Sequence, residues 1–249
     1  MSQQNFKEFS SDLYRNWYAN EGACENCPNR DPCHYFTPKN IDPGWHSGSK
    51  DADVLIVGLE PSDEYPDGSN RESEQLGVGC ESSTWDSGAR ASTFEDYYEG
   101  LNPDSPKEVH DGSVDIERMG GTIFEVLESY YYTNSKKCAS TGDKDEKARK
   151  NCKRYLLKQI NIIDPNVVVP LGEEAIRLFE DECNIPDEDT SLYEYVLTHY
   201  QYDGRTLIPA YHWSIEKPWG LPTEAKEKFG VDGIEGFYNI LIEEIQSKV

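Results

Sequence analysis

The residues that could do chemistry in this 249-residue chain begin with its seven cysteines. Cys24 and Cys27 form a Cys-x2-Cys pair in a loop rich in Pro and Asn, ACENCPNRDPCHYF. Cys138 and Cys152 lie far along the chain and could complete a four-thiolate set. On ligand type alone, four thiolates suit zinc or an iron–sulfur cluster equally well. Cys33, His34 and His46 offer a competing local zinc site with Cys24 and Cys27, and buried thiols without any metal are the plain alternative. Cys80 and Cys183 have no assignable partner and are read as core or loop thiols.

Three further side chains follow apolar runs. Glu60 comes after DVLIVGL, Asn134 after YYYT, and His212 after RTLIPAY. A carboxylate can orient water, an amide can read a donor–acceptor pattern, and an imidazole can donate a hydrogen bond to a developing anion. Each also has an ordinary reading, as a solvated turn acid, a turn amide bonded to its own backbone, and a satisfied core histidine. Their common position, just past a strand, sets them apart.

The elements that must place them alternate in type. DADVLIVGLEP reads as a buried strand over 53–57 that breaks at Gly58 and Pro61. YYYTN, NVVVPLG and RTLIPAYH read as three more strands. Helices are predicted over 5–20, from Gly120 through GGTIFEVLESY, over 145–163 ended by Asp164-Pro165, over EEAIRLFEDE, and over IEGFYNILIEEIQSK. This alternation predicts an α/β protein, a three-layer α/β/α sandwich with a central four-stranded parallel sheet, in one domain over 1–249. Residues 62–118, with fifteen acids and four bases, read as an acidic insertion or a set of loops. Ligands of such folds bind beyond the carboxyl ends of the strands. Gly58-Leu59-Glu60-Pro61-Ser62, Thr133 to Cys138, Leu171 to Glu174, and Tyr211 to Ser214 would therefore share one rim.

Charge narrows the partners. There are 24 Lys and Arg against 47 Asp and Glu, a net charge of -23. Such acidity repels polyanions on average, and it also suits a high-salt cytosol. The average hides an island: Lys136 to Lys158 holds nine Lys and Arg against three acids, or +6, which leaves -29 for the rest of a -23 chain. A basic segment in an acidic chain marks a place where nucleic acid could bind. No apolar run reaches the roughly 20 residues of a membrane span, and the start MSQQNFKEF has no signal-peptide core. The expectation is a soluble cytoplasmic monomer with no membrane partner.

Five pieces in order carry a resemblance to a known family: CENC, DVLIVGLEP, YYTNSKKC, KARKNCKRYLLKQINIIDPNVVVPLGEEA and AYHWS. Together they resemble the uracil-DNA glycosylase superfamily, and most of all its iron–sulfur family 4 enzymes, of which this chain would be a divergent member. The resemblance implies a DNA-repair hydrolase that cleaves the N-glycosidic bond of uracil in DNA. It implies a [4Fe-4S] cluster, or zinc in its place, on Cys24, Cys27, Cys138 and Cys152. It implies catalysis by Glu60 and His212, with Gly58, Leu59, Pro61, Ser62 and Asn134 around the base and Lys136, Lys137, Trp213 and Ser214 on DNA. The acid stands one place later than in family 4, and Trp213 stands where the His-Pro-Ser motif has proline. A non-catalytic, nucleic-acid-binding member of the same fold is the alternative that these departures leave open.

Overall fold

The computed structural model describes residues 22, 46–48, 52–58, 130–136, 146–187, 189–212, 215 and 220–249. In chain order the strands are β1 (His46–Gly48), β2 (Val54–Gly58), β3 (Tyr130–Asn134), β4 (Val167–Pro170), β5 (Tyr200–Tyr202) and β6 (Arg205–Leu207). The helices are α1 (Glu146–Ile163), α2 (Glu173–Ile176), α3 (Glu180–Cys183), α4 (Leu192–Tyr195), α5 (Thr223–Phe229) and α6 (Ile234–Gln246).

β2 (VLIVG) and β4 (VVVP) are buried at every position, as continuous β-branched runs in a sheet covered on both faces should be. They pair in parallel from Val54 opposite Val167 to Val57 opposite Pro170. β4 pairs in parallel with β6, Val167 opposite Thr206 and Val168 opposite Leu207. Full burial of each such side chain is worth roughly 1.5–3 kcal/mol, so this centre dominates the stability of the sheet.

Among the described residues the sheet has six strands, in the order β1-β3-β2-β4-β6-β5. All four strands expected from the sequence are present, side by side at the centre in the order β3-β2-β4-β6, and a short strand is added at each edge. β5 is antiparallel to β6 and reaches it through a two-residue hairpin. Asp203 (φ 46) and Gly204 (φ 80) both take the left-handed conformation that such a hairpin demands. β1, three residues at the other edge, is too short to carry a periodic signal. A mixed, mostly parallel sheet with helices is what a three-layer α/β/α sandwich requires.

The contacts divide the chain into two compact units. The described part of the first is chiefly 134–136 and 146–162. Its helix α1 buries Ala148, Cys152, Tyr155, Leu156, Gln159 and Ile160 at helical spacing and exposes Lys147, Lys150, Arg154 and Lys158 on the opposite face. The helix stops where Asp164 turns left-handed (φ 53) ahead of Pro165.

The second unit holds 52–58, 130–133 and 163–249. The single helix expected over EEAIRLFEDE is broken there. Arg177–Phe179 tighten into a 3-10 turn between α2 and α3, and Asn184 (φ 52) ends α3. α6 buries Ile234, Phe237, Tyr238, Leu241, Ile242 and Ile245. Phe237 meets Tyr211 edge-on at 5.1 Å and Phe229 at 5.5 Å, so α5, α6 and the end of the sheet share one aromatic cluster. Among the described residues no helix is long and apolar enough to cross a membrane. The helices expected over 5–20 and from Gly120, and the acidic segment 62–118, lie outside the described residues.

Candidate functional site

In the second unit, parallel pairing continues past the named strands and builds a floor. Leu171 N donates to Val57 O at 2.8 Å, Ile208 N to Val168 O at 2.9 Å, and Ala210 N to Pro170 O at 3.0 Å. Pro170 lacks an N–H, so its carbonyl alone serves the ladder. Leu171 and Ala210 form a further parallel bridge, and Gly172 N donates back to Ala210 O at 2.8 Å. The carboxyl ends of β2, β4 and β6 therefore deliver Gly58, Gly172 and His212 to one end of the sheet, as the rule for open α/β sheets requires.

Gly172 and His212 are held against each other. Gly172 has φ +77, and a Cβ built on it would lie 3.2 Å from the His212 Cβ. Only glycine tolerates both that backbone and that approach without strain. On the far side of His212, its carbonyl accepts Ile215 N at 3.1 Å, which turns the chain back.

The residue before the histidine is fixed from behind. Tyr238 on α6 donates its hydroxyl to the Tyr211 carbonyl at 2.9 Å in a buried hydrogen bond. Tyr211 itself is 2% exposed, and its hydroxyl finds no hydrogen-bond partner among the described residues. Burial raises the pKa of that hydroxyl above the usual tyrosine value, so it stays protonated.

His212 is partly exposed, and the desolvation of its mostly covered ring decides its state. The low-dielectric surroundings disfavour the imidazolium and lower its pKa from 6.5 to about 4. At neutral pH the ring is uncharged. A neutral imidazole in a fixed place can donate one hydrogen bond without bringing a proton in exchange, which suits stabilisation of an anionic leaving group.

In the first unit, Asn134, Ser135 and Lys136 are buried in succession at 2%, 0% and 2% exposure. Asn134 has the desolvated amide that reading a base edge needs. Lys136, expected on DNA, is instead an inside residue. Cys152 is 6% exposed at the centre of the buried stripe of α1. A thiol there suits a soft metal in an apolar surround, and it also suits plain core packing. Among the described residues no three His, Cys, Asp or Glu side chains come together as a metal site. The other three expected ligands, Cys24, Cys27 and Cys138, lie outside the described residues. So do Leu59, Glu60, Pro61, Ser62, Lys137, Trp213 and Ser214.

Sequence reasoning missed Tyr238 as a support of the site. Its only signal is a tyrosine in an otherwise apolar stripe, where a hydroxyl needs a buried partner. Gly172 was legible as a residue past a strand, but its closeness to His212 was not.

Residues 45–215, well over half of the chain, match the family model described as the uracil DNA glycosylase superfamily. No curated protein matches the chain.

Proposed function

The chain belongs to the uracil DNA glycosylase superfamily, and on that premise we propose that it hydrolyses the N-glycosidic bond of uracil in DNA and leaves an abasic site. The observation that carries the reading is His212, kept neutral by burial and seated against Gly172 at the carboxyl end of the parallel strands.

The target nucleotide must leave the base stack before C1′ can be reached, at a cost of a few kcal/mol. Its N1–C1′ bond then breaks through an oxocarbenium-like state, and the bonding electrons leave with the base as the uracil anion. His212 donates a hydrogen bond to O2 of that anion. A single preorganised donor of this kind is worth about 3 kcal/mol. Glu60 orients the water that attacks C1′, favours positive charge on the sugar, and directs the water's proton to solvent. Asn134 pairs with O4 and N3 of uracil and rejects cytosine, whose donor pattern is reversed at those atoms. The resemblance would add Gly58, Leu59, Pro61 and Ser62 as residues that meet the base. Trp213, with Ser214 and Lys137, contacts the DNA beside the vacated stack.

The resemblance to the family 4 enzymes would bring a cluster with it. Cys24, Cys27, Cys138 and Cys152 would hold a [4Fe-4S] centre, with zinc as the other soft-thiolate occupant. Its contribution would be structural: a covalent tie through Cys24 and Cys27, Cys138, and Cys152 of α1.

The test compares uracil release from single- and double-stranded DNA by the wild type and by Glu60→Ala, Asn134→Ala and His212→Ala. Release that falls at least a hundredfold in each variant supports the reading. Tight binding of uracil-containing DNA without release would instead favour the non-catalytic member of the fold.

A further inference from the structure

The exposed face of α1 carries a pattern that helix stability does not explain. Lys147, Lys150, Arg154 and Lys158 are all exposed and follow one another at spacings of three, four and four, one straight stripe opposite the buried face. Lys150–Arg154 and Arg154–Lys158 are like-charge pairs at i,i+4, which weaken a helix. The stripe starts in the first turn, and the last turn holds no basic residue. That is the reverse of what the helix dipole favours, which is acids at the start and bases at the end. A chain with 47 Asp and Glu had acids to spare for this face, yet the helix contains only Glu146.

We infer that this stripe is a docking surface for the phosphate backbone of DNA, a contact that reads charge and spacing and not the base. The inference rests on the proposed action on DNA, which supplies the partner's class. From Lys147 to Lys158 the stripe is about 16 Å long at 1.5 Å per residue. One strand of a duplex advances about 3.4 Å per phosphate, so the stripe faces roughly four to five phosphates. The dipole of the amino-terminal turn adds to the attraction. Because Lys136 is buried, this face takes over the anchoring role that the KKC segment suggested.

The experiment measures binding of the full-length protein to a uracil-free duplex by fluorescence anisotropy across a KCl series. Wild type is compared with Arg154→Gln/Lys158→Gln, and with Lys226→Gln/Lys248→Gln, which removes the same charge elsewhere, from α5 and from the turn after α6. Each phosphate contact contributes about 0.9 to the slope of log K against log salt, so the stripe variant should lose about 1.8 and the control variant little. The charge-preserving Arg154→Lys/Lys158→Arg should restore the slope, which separates lost contacts from lost folding. Equal losses in both glutamine variants, an unchanged slope in the stripe variant, or no binding of wild type to the duplex at low salt would each overturn the inference. A parallel series with single-stranded DNA and with duplex RNA reads the partner, and tighter binding to RNA than to DNA would also overturn it. Uracil release is scored separately. Release with a stripe-independent slope removes this inference alone, and a stripe-dependent slope without release removes the glycosylase reading alone.

Discussion

Gly172 and His212 stand so close that a β-carbon on the glycine would lie 3.2 Å from the β-carbon of the histidine. The glycine also holds φ +77, which costs an L-residue roughly 1–2 kcal/mol. Gly172→Ala should therefore lower stability by about that amount and push the imidazole from its place. Uracil release should fall about tenfold or more, because ~1.4 kcal/mol of lost transition-state stabilisation is already tenfold. Binding of uracil-free DNA should be unchanged. A variant that is less stable but releases uracil normally at a temperature where it is folded would contradict the link.

The pH dependence follows from the same histidine. Burial holds the folded pKa of His212 at about 4, below the ordinary 6.5, so between these values the unfolded chain binds a proton that the folded chain refuses. Stability from this group is complete above about pH 6.5 and is lost as the pH falls toward 4, on the order of 3 kcal/mol in all. Uracil release should show no inflection at 6.5 assignable to His212. Chemical denaturation at pH 7.5 and pH 5 checks the first statement, and NMR titration of the imidazole checks the second. His212 titrating near 6.5 would remove both.

Tyr238→Phe removes one hydroxyl and leaves the buried Tyr211 carbonyl without the donor that meets it at 2.9 Å. The expected loss is about 1–3 kcal/mol of stability. Because Tyr211 precedes His212, kcat for uracil release should also drop while KM stays the same. Leu241→Ala on the same helix serves as the comparison, with a larger stability loss of about 2–5 kcal/mol and no separate effect on kcat. Equal kcat in the two variants when both are fully folded would make Tyr238 a core residue only.

The proposed cluster makes a prediction that does not depend on activity. Protein purified without oxygen should absorb broadly near ~400 nm and contain about four irons per chain, and Cys152→Ser should lose both. Colourless protein with one zinc per chain would assign the site to zinc instead.

Much of the sheet was legible because its centre is made of β-branched runs with nothing to compete. VLIVG and VVVP are buried throughout and admit no amphipathic helix. β5 was missed although Asp203-Gly204 carries a strong short-range hairpin signal, because its three residues are too few to show alternation. α5 was missed for a related reason: TEAKEKF buries only Ala225, so it has no apolar stripe to read. The EEAIRLFEDE segment was read as one helix because propensity does not register where packing of Leu178 and Phe179 tightens the turn. Strand ends alone brought out Asn134 and His212. The neutrality of His212 was not legible, since it depends on what surrounds the ring, and the role of Tyr238 was hidden because its partner is a backbone carbonyl 27 residues away.

The central claim is most directly tested by the uracil-release assay on the wild-type protein, run with single- and double-stranded DNA over a KCl range from low to molar. The account predicts free uracil and an abasic site in at least part of that range, with His212→Ala slower by a hundredfold or more. Intact uracil at every salt concentration, from a protein shown to be folded, would contradict it.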